Sequence, residues 1–308
     1  MNELSKVNNF TCLPESEILV TKLLGDPFKK IKKESHAIFE LNQFLKTDKK
    51  LRLFQGVIKF ENLFEPKETY IQHYELFFRF ITTVAFYENT NTEVIVFKNT
   101  HIGQFIRALP LYVLESYGIK LYFLFRDPRA IYRSQKKSVG SWGKPMAKHP
   151  ATLVHEWDNL FQSWIYFQKK DNTRVMASTY ENLVQNFRQE LALIFRLLKQ
   201  NEVLPNEKQT GKYRTKIPQS LWHLHENITK PIQSTFKDQW QEDLTIAEQY
   251  KISRLLGEKM TTMGYTPSIV HPNYWYIRYS TIFLRFRMSL IIIKQYLRGS
   301  EIPPNLNE

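Results

Sequence analysis

The chain has 308 residues, of which 43 are lysine or arginine and 30 are aspartate or glutamate, so its formal net charge is +13. A hydrophobic fraction of 43% and an aromatic fraction of 14% are enough to build a large core, which excludes an intrinsically disordered chain. A single cysteine, Cys12, excludes an intrachain disulfide and a cysteine-rich metal centre. The positive charge favours anionic partners such as phosphates, sulfates or acidic lipids, without deciding among them.

Membrane targeting is not predicted from the chain. Residues 1–14 lack the basic start and apolar run of a signal peptide, so we expect neither a leader nor an N-terminal anchor. No stretch contains the roughly 18 uncharged apolar residues of a membrane span.

The first third of the chain is predicted to be mostly helical. Apolar runs and helical spacing indicate helices over residues 18–24, 28–50 and 70–87. The sequence contains no repeat of 20 to 50 residues, which excludes solenoids and propellers and favours one continuous domain.

The middle of the chain has a strand, helix, strand pattern. Residues 93–98 and 120–125 are compact apolar runs typical of buried strands, and residues 102–117 have helical spacing that ends at Gly118. Such a unit predicts parallel strands in a buried sheet, joined by a right-handed crossover.

The second half continues the alternation of helices and strands. A helix with aromatic residues at spacings of three and four precedes a third predicted strand at residues 174–178, and further helices are predicted over residues 181–200 and 243–263. We therefore predict an α/β domain over residues 1–267, with a parallel sheet flanked by helices.

The remaining residues, 268–308, are predicted to form a basic amphipathic tail. Phe283, Phe286, Leu290 and Ile293 lie on one helical face, with the arginines and lysines largely off it. Docking of this helix onto the domain and peripheral contact with an anionic membrane are both compatible with the pattern.

An anion site is predicted after the second strand. Neither GxxxxGK[ST] nor GxGxxG occurs, which disfavours Walker-type NTPases and nicotinamide-binding Rossmann proteins. Residues 126–134, RDPRAIYRS, follow a predicted buried strand and begin a predicted helix, so their arginines lie near a helix N-terminus. A helix N-terminus at the carboxyl end of a strand favours a bound anion. Arg126 can offer a bidentate fork and Ser134, about two turns on, a hydroxyl donor. The alternative is an arginine–aspartate ion pair that caps the helix.

Residues 123–134, FLFRDPRAIYRS, resemble the LVRDPRAVxxSR signature of sulfotransferases, especially the Golgi carbohydrate sulfotransferases. In that family the signature binds the 3′-phosphate of the donor PAPS. Three further segments follow the family's order: residues 94–101 resemble its strand and K-T turn, residues 179–184 its YEDL element, and residues 234–240 its STxxxxW segment. The resemblance covers residues 60–266.

The resemblance implies a P-loop-like fold, a location in the Golgi lumen or membrane, and transfer of a sulfuryl group from PAPS to a hydroxyl of a carbohydrate acceptor. The alternative location is the cytoplasm. It implies that Arg126 and Ser134 bind the 3′-phosphate, that Tyr180 and Lys237 belong to the donor site, and that Lys98 lies near the transferring group. No metal and no nucleic-acid partner are expected.

Two residues are candidates for the base that accepts the proton of the acceptor hydroxyl. Glu65 lies in the sequence LFEP, which resembles the FEP element of carbohydrate sulfotransferases; the alternative is a solvated surface carboxylate. His101 resembles the histidine of the K-T-H element of cytosolic sulfotransferases, although one extra residue separates it from Lys98. The alternative for His101 is an ordinary loop histidine.

One element of the family is missing from the sequence. Family members have a Gly/Ser-rich loop that grips the 5′-phosphosulfate, and its nearest counterpart here is residues 13–20, LPESEILV. Glu15 and Glu17 would repel a phosphosulfate, and replacing a glycine hinders close approach of the backbone. Either the N-terminus is incomplete or altered, or activity is reduced or lost.

These observations leave two rival hypotheses. The first is a catalytically inactive sulfotransferase-like protein that binds a nucleotide or a glycan. The second is a basic RNA- or membrane-associated protein, which only the tail and lysine runs such as residues 29–33 support.

Overall fold

The structure of the protein, a computed structural model, describes residues 4–13, 30–31, 39, 71–98, 105–107, 109–139, 145–147, 149–201, 238–268, 282, 286 and 289–290. The chain forms two compact units, residues 1–117 with 203–230 and residues 118–202 with 231–308. The domain boundary predicted between residues 267 and 268 stays a prediction.

Among its described residues, the first unit combines short strands with helices. Its elements in chain order are strands β1 (Phe10–Leu13), β2 (Lys30–Ile31) and β3 (Ile71–Gln72), helix α1 (His73–Glu88), strand β4 (Val94–Phe97) and helix α2 (Leu111–Ser116). Strands β1 and β4 pair in parallel, and β2 pairs with β3 in an antiparallel arrangement.

Helix α1 covers the β1–β4 pair with an apolar face. Leu76, Phe77, Phe80 and Val84 recur at helical spacing and are buried, and the ring of Phe77 meets that of Phe97 edge-on at 5.5 Å. All four residues of β1 are buried, so this strand lies in the core of the first unit.

The second unit contains a second parallel pair of strands. Its elements in chain order are strand β5 (Leu121–Phe125), helices α3 (Pro128–Lys137) and α4 (Pro150–Lys170), strand β6 (Val175–Thr179) and helices α5 (Tyr180–Gln185), α6 (Phe187–Leu198), α7 (Trp240–Asp243) and α8 (Ile246–Thr262). Strands β5 and β6 are parallel, with Leu121 opposite Val175 and Phe125 opposite Thr179. The described residues therefore have a mixed α/β fold with small parallel sheets flanked by helices, which confirms the predicted class. The described strands form separate two-stranded sheets, whereas one parallel sheet was predicted.

Aromatic side chains of α4 form the core behind β5. The ring of Phe125 lies 5.4 Å from that of Trp157, 6.2 Å from Phe161 and 5.8 Å from Trp164, measured between centroids. Burying each such ring contributes about 1.5–3 kcal/mol. This stripe fixes the position of the carboxyl end of β5.

Several predicted elements differ from those observed. The strand, helix, strand pattern predicted that residues 93–98 and 120–125 belong to one parallel sheet. In the structure, β4 instead pairs with β1, and β5 pairs with β6. Residues 30–31 form strand β2 inside a stretch predicted to be helical, and residues 71–72 form strand β3 before α1. The predicted helix 18–24 lies outside the described residues, as does most of 28–50.

Two predicted helices are also shorter than expected. The helical part of residues 102–117 that the structure describes is α2, which begins after Pro110, apart from a helical turn at residues 105–106. The helix predicted over 181–200 is divided into α5 and α6 at Asn186, whose φ and ψ of −122° and 42° are not helical. Of the tail, Ile282, Phe286, Ser289 and Leu290 are helical and exposed, and residues beyond Ser268 otherwise lie outside the description.

Helix α6 ends on a residue with a strained backbone, which leads to a prediction about stability. Lys199 has a φ of 55°, a left-handed conformation in which a glycine meets no steric penalty. We expect Lys199→Gly to raise the free energy of unfolding by about 0.5–1 kcal/mol. Urea denaturation of both proteins measures the change, and an unchanged or lower midpoint would contradict it.

Within the described part of the chain, no helix is both long enough and apolar enough to cross a membrane.

Candidate anion-binding site

Strands β5 and β6 end side by side, and each continues directly into a helix. Phe125 lies opposite Thr179, after which the chain enters α3 at Pro128 and α5 at Tyr180. Asp127 is the N-cap of α3 and Pro128 occupies the first helical position, a combination that favours a helix start. The N-terminal dipole of α3 therefore points to the carboxyl edge of the β5–β6 pair.

Arg129 forms the helix-capping ion pair that the sequence left as an alternative for this segment. Its Nε and Nη2 donate to the two carboxylate oxygens of Asp127 at 3.0 and 2.7 Å, and both side chains are buried. Its Nη1 donates to Ser268 Oγ at 2.9 Å, and its guanidinium lies 3.8 Å from the ring centroid of Trp240. These contacts give Arg129 a structural role.

Arg126, in contrast, has no carboxylate partner in the described part of the chain. Its guanidinium lies 4.6 Å from the ring centroid of Tyr180, the first residue of α5. Its backbone oxygen accepts a hydrogen bond of 3.0 Å from Trp157 Nε1. Its Nε is buried and has no hydrogen-bond partner among the residues the structure describes. A buried donor without a partner costs about 1–3 kcal/mol, which a bound anion would relieve.

The other cations of α3 have carboxylate partners. Arg133 pairs with Asp243 at 2.6 Å, Lys137 pairs with the same carboxylate, and Lys136 pairs with Glu248 at 2.8 Å. These contacts attach α3 to α7 and α8. Of the arginines and lysines between positions 126 and 137, Arg126 is the one without a carboxylate partner in the described structure.

Glu181 connects the turn after β5 to the end of α8, a role that the sequence did not reveal. Its Oε1 accepts the backbone N–H of Asp127 at 3.4 Å, and its Oε2 accepts the hydroxyl of Tyr265 at 2.7 Å. Burial, and then the negative charge of Glu181, raise the pKa of Tyr265 above its usual range. The Tyr265 hydroxyl therefore remains a donor at neutral and moderately alkaline pH.

This raised pKa predicts how stability depends on alkaline pH. Above about pH 10 an unfolded tyrosine loses its proton while Tyr265 keeps it, so the folded state binds more protons and the free energy of unfolding falls. Burial raises the pKa of Tyr122 and of Tyr132 to about 12 as well. We expect a smaller fall between pH 10 and 11.5 in Tyr265→Phe than in the wild type, measured as urea midpoints. Parallel curves for the two proteins would contradict this expectation.

The structure brings together two of the predicted site residues, Arg126 and Tyr180. Ser134 is half-buried on α3, about 9 Å along the helix axis from Pro128, and no hydrogen bond of its hydroxyl is found in the described regions. Lys98 directly follows β4 in the first unit and is exposed.

The remaining predicted site residues, Glu65, His101 and Lys237, lie outside the described residues, and their roles stay predictions. The same holds for residues 14–20 of the predicted loop for the 5′-phosphosulfate; the structure describes only its first residue, Leu13, at the end of β1. Among the side chains that the structure describes, no group of three histidine, cysteine, aspartate or glutamate residues is arranged to hold a metal ion.

The chain is similar in fold to solved structures, but it matches no family model and no curated protein. A solved structure similar to the chain is a sulfotransferase domain from the curacin biosynthetic pathway, at 14% sequence identity and a TM-score of 0.49, covering 86% of this chain and 92% of that one. A similarity at this level assigns neither a family nor an activity to the chain.

Proposed function

We propose that the protein is a sulfotransferase that transfers a sulfuryl group from PAPS to a hydroxyl of a carbohydrate acceptor. The observation that carries the proposal is Arg126, which lies at the end of a buried strand. Its buried Nε has no hydrogen-bond partner, and its guanidinium has no carboxylate partner, among the residues that the structure describes. It lies in the segment that resembles the 3′-phosphate signature of carbohydrate sulfotransferases. A Golgi location belongs to the same proposal.

The chemistry of Arg126 suits a phosphate. A guanidinium presents a planar fork of N–H donors that matches two phosphate oxygens, and hydrogen bonds to a charged group are stronger than neutral ones. Tyr180 supports the fork from one face, and Trp157 holds the backbone beneath it. The N-terminal dipole of α3 adds a favourable field for negative charge at the same place.

Transfer needs groups beyond the donor site. The acceptor oxygen attacks the sulfur of PAPS, the bond from sulfur to the bridging phosphate oxygen breaks, and PAP leaves. The acceptor proton passes to a base, for which Glu65 and His101 are the candidates. Lys98 is the candidate for stabilising the charge that develops on the bridging oxygen. Ser134 and Lys237 complete the proposed donor site.

A second candidate function, nucleotide or glycan binding without transfer, has one observation in its favour. Strand β1 ends at Leu13, immediately before the sequence Pro14-Glu15-Ser16-Glu17. In the family this is where a Gly/Ser-rich loop grips the 5′-phosphosulfate, and two carboxylates there would repel it. Such a protein would retain the 3′-phosphate contacts and lose the reaction.

Calorimetric titration with PAP and with 5′-AMP tests the donor site, because the two nucleotides differ by the 3′-phosphate. We expect PAP to bind at least about tenfold more tightly, since a charge-assisted contact contributes about 1.5–3 kcal/mol. Equal binding of both nucleotides, or binding of neither, would remove the proposed donor site.

Incubation with PAPS and a panel of desulfated glycans distinguishes the two candidate functions. A glycan that gains mass as its sulfate ester, detected by mass spectrometry, supports the transferase. Selective PAP binding with no sulfated product from any glycan of the panel favours the inactive binding protein.

A further inference from the structure

Five cations gather at the amino-terminal edge of the β5–β6 pair, opposite the edge that carries Arg126. They are Lys120, Lys169, Lys170, Arg174 and Lys199, here called the basic edge. A strand of five residues is about 16 Å long, which separates the basic edge from the Arg126 site by that distance.

The topology of the second unit brings these residues together. Lys120 directly precedes β5 and Arg174 directly precedes β6, and the next residues of the two strands are paired across the sheet. The Lys120 Nζ donates to the backbone oxygen of Thr173 at 3.4 Å. Helix α4 ends with Lys169 and Lys170, and three residues separate Lys170 from Arg174.

The positive charge of the basic edge is only partly compensated. Asp171 accepts a hydrogen bond of 2.7 Å from Arg174 Nε, and no other carboxylate contacts these five side chains in the regions described. Burial lowers the pKa of Lys120, and repulsion from Arg174 and Lys199 lowers it further, against the attraction of Asp171. Lys120, Arg174 and Lys199 are therefore close enough to repel one another.

Helix dipoles do not account for the whole cluster. A lysine at a helix C-terminus is stabilised by the dipole, which applies to Lys169, Lys170 and Lys199. Neither Lys120 nor Arg174 ends an α-helix. Lys199 also has a left-handed backbone conformation that glycine adopts without strain. A lysine at this position therefore lowers the free energy of unfolding relative to glycine.

We propose that the basic edge binds an anionic polysaccharide. No large apolar side chain of residues 119–121, 168–175 or 195–200 is exposed, so these segments offer no wedge for a membrane and no ring on which a nucleic-acid base would stack. Lysines are flexible point charges, which suits sulfates or carboxylates spaced along a sugar chain. This binding goes beyond the proposed sulfotransferase activity and does not depend on it.

Binding of a heparin fragment to the full chain tests the proposal. The test variant is Lys170→Gln with Lys199→Gly; the second change is expected to stabilise the fold, so lost binding is not attributable to unfolding. The control is Arg188→Gln with Arg254→Gln, which removes two positive charges from exposed positions on α6 and α8. Both variants lower the net charge equally.

We expect the test variant to bind heparin roughly tenfold more weakly and the slope of log K against log salt to fall by about 2, one unit for each cation removed. The control variant should differ from the wild type by less than about threefold, because its charges lie elsewhere. Equal losses in both variants would overturn the proposal, because binding would then follow net charge alone.

Two further measurements complete the test. If the test variant loses binding to phosphatidylserine vesicles or to single-stranded RNA but keeps its affinity for heparin, the proposed partner is wrong. PAP binding by the test variant should equal that of the wild type. An absence of PAP binding in both proteins would count against the sulfotransferase proposal. The proposal for the basic edge would then be tested by the heparin measurements alone.

Discussion

Replacing Arg126 by alanine is expected to weaken PAP binding about thirtyfold or more, which corresponds to about 2 kcal/mol. The reason is that Arg126 is the cation of its segment without a carboxylate partner in the described structure, and its buried Nε lacks an acceptor. Calorimetry at fixed ionic strength measures the change. Arg126→Lys should fall between alanine and the wild type, because an ammonium keeps the charge and loses the bidentate fork.

The matched control for this experiment is Arg133→Ala. Arg133 lies in the second turn of α3, the helix that follows the same strand, but it is paired with Asp243, which also pairs with Lys137. Its removal should leave PAP affinity within about twofold of the wild type, since long-range charge effects are screened at physiological salt. A similar loss in both variants would mean that PAP responds to the general positive field and that Arg126 is not its contact.

Replacing Arg129 by methionine is expected to lower the free energy of unfolding by about 3–5 kcal/mol. Arg129 and Asp127 have side chains only 5% and 8% exposed, so methionine would leave the Asp127 carboxylate buried without its cation. Contacts with Ser268 and Trp240 would be lost together with the ion pair. Urea denaturation measures the effect, and a loss below about 1 kcal/mol would show that the carboxylate is compensated in another way.

A double-mutant cycle separates the ion pair from the packing. Asp127→Asn keeps a side-chain acceptor for the helix N-cap and removes the charge, so the double variant should lose less stability than the sum of the two single variants. Arg133→Met serves as the control, because its ion pair with Asp243 is exposed to solvent and should contribute little to stability.

The sequence allowed strands β4, β5 and β6 to be predicted to within about a residue. Strands β4 and β5 are compact apolar runs between turn residues, and β6 follows the turn-forming residues 171–173. It did not allow their partners to be predicted. Pairing joins residues far apart in the chain, and β1, with four residues, is too short to display a period of its own.

The candidate site was also only partly predictable. The RDPR segment indicated an anion site at a helix start, but it contains two arginines with the chemistry to bind an anion. Which of them forms an ion pair with Asp127 depends on the folded backbone, and it is Arg129. The role of Glu181 depends on Tyr265, 84 positions away, and no local pattern reports such a contact. Asn186, where the predicted helix divides, has no strong breaker beside it.

The stacking of Arg126 on Tyr180 has a consequence for the anion binding proposed above. A free arginine side chain loses about 2 kcal/mol of rotamer entropy when a ligand immobilises it. Here the guanidinium already rests on a ring, and the peptide below it is tied to the Trp157 indole. Much of that entropy is therefore lost during folding, so the proposed site is preorganised. Such a site would select anions by their shape, because its guanidinium is already held in one position before the anion binds.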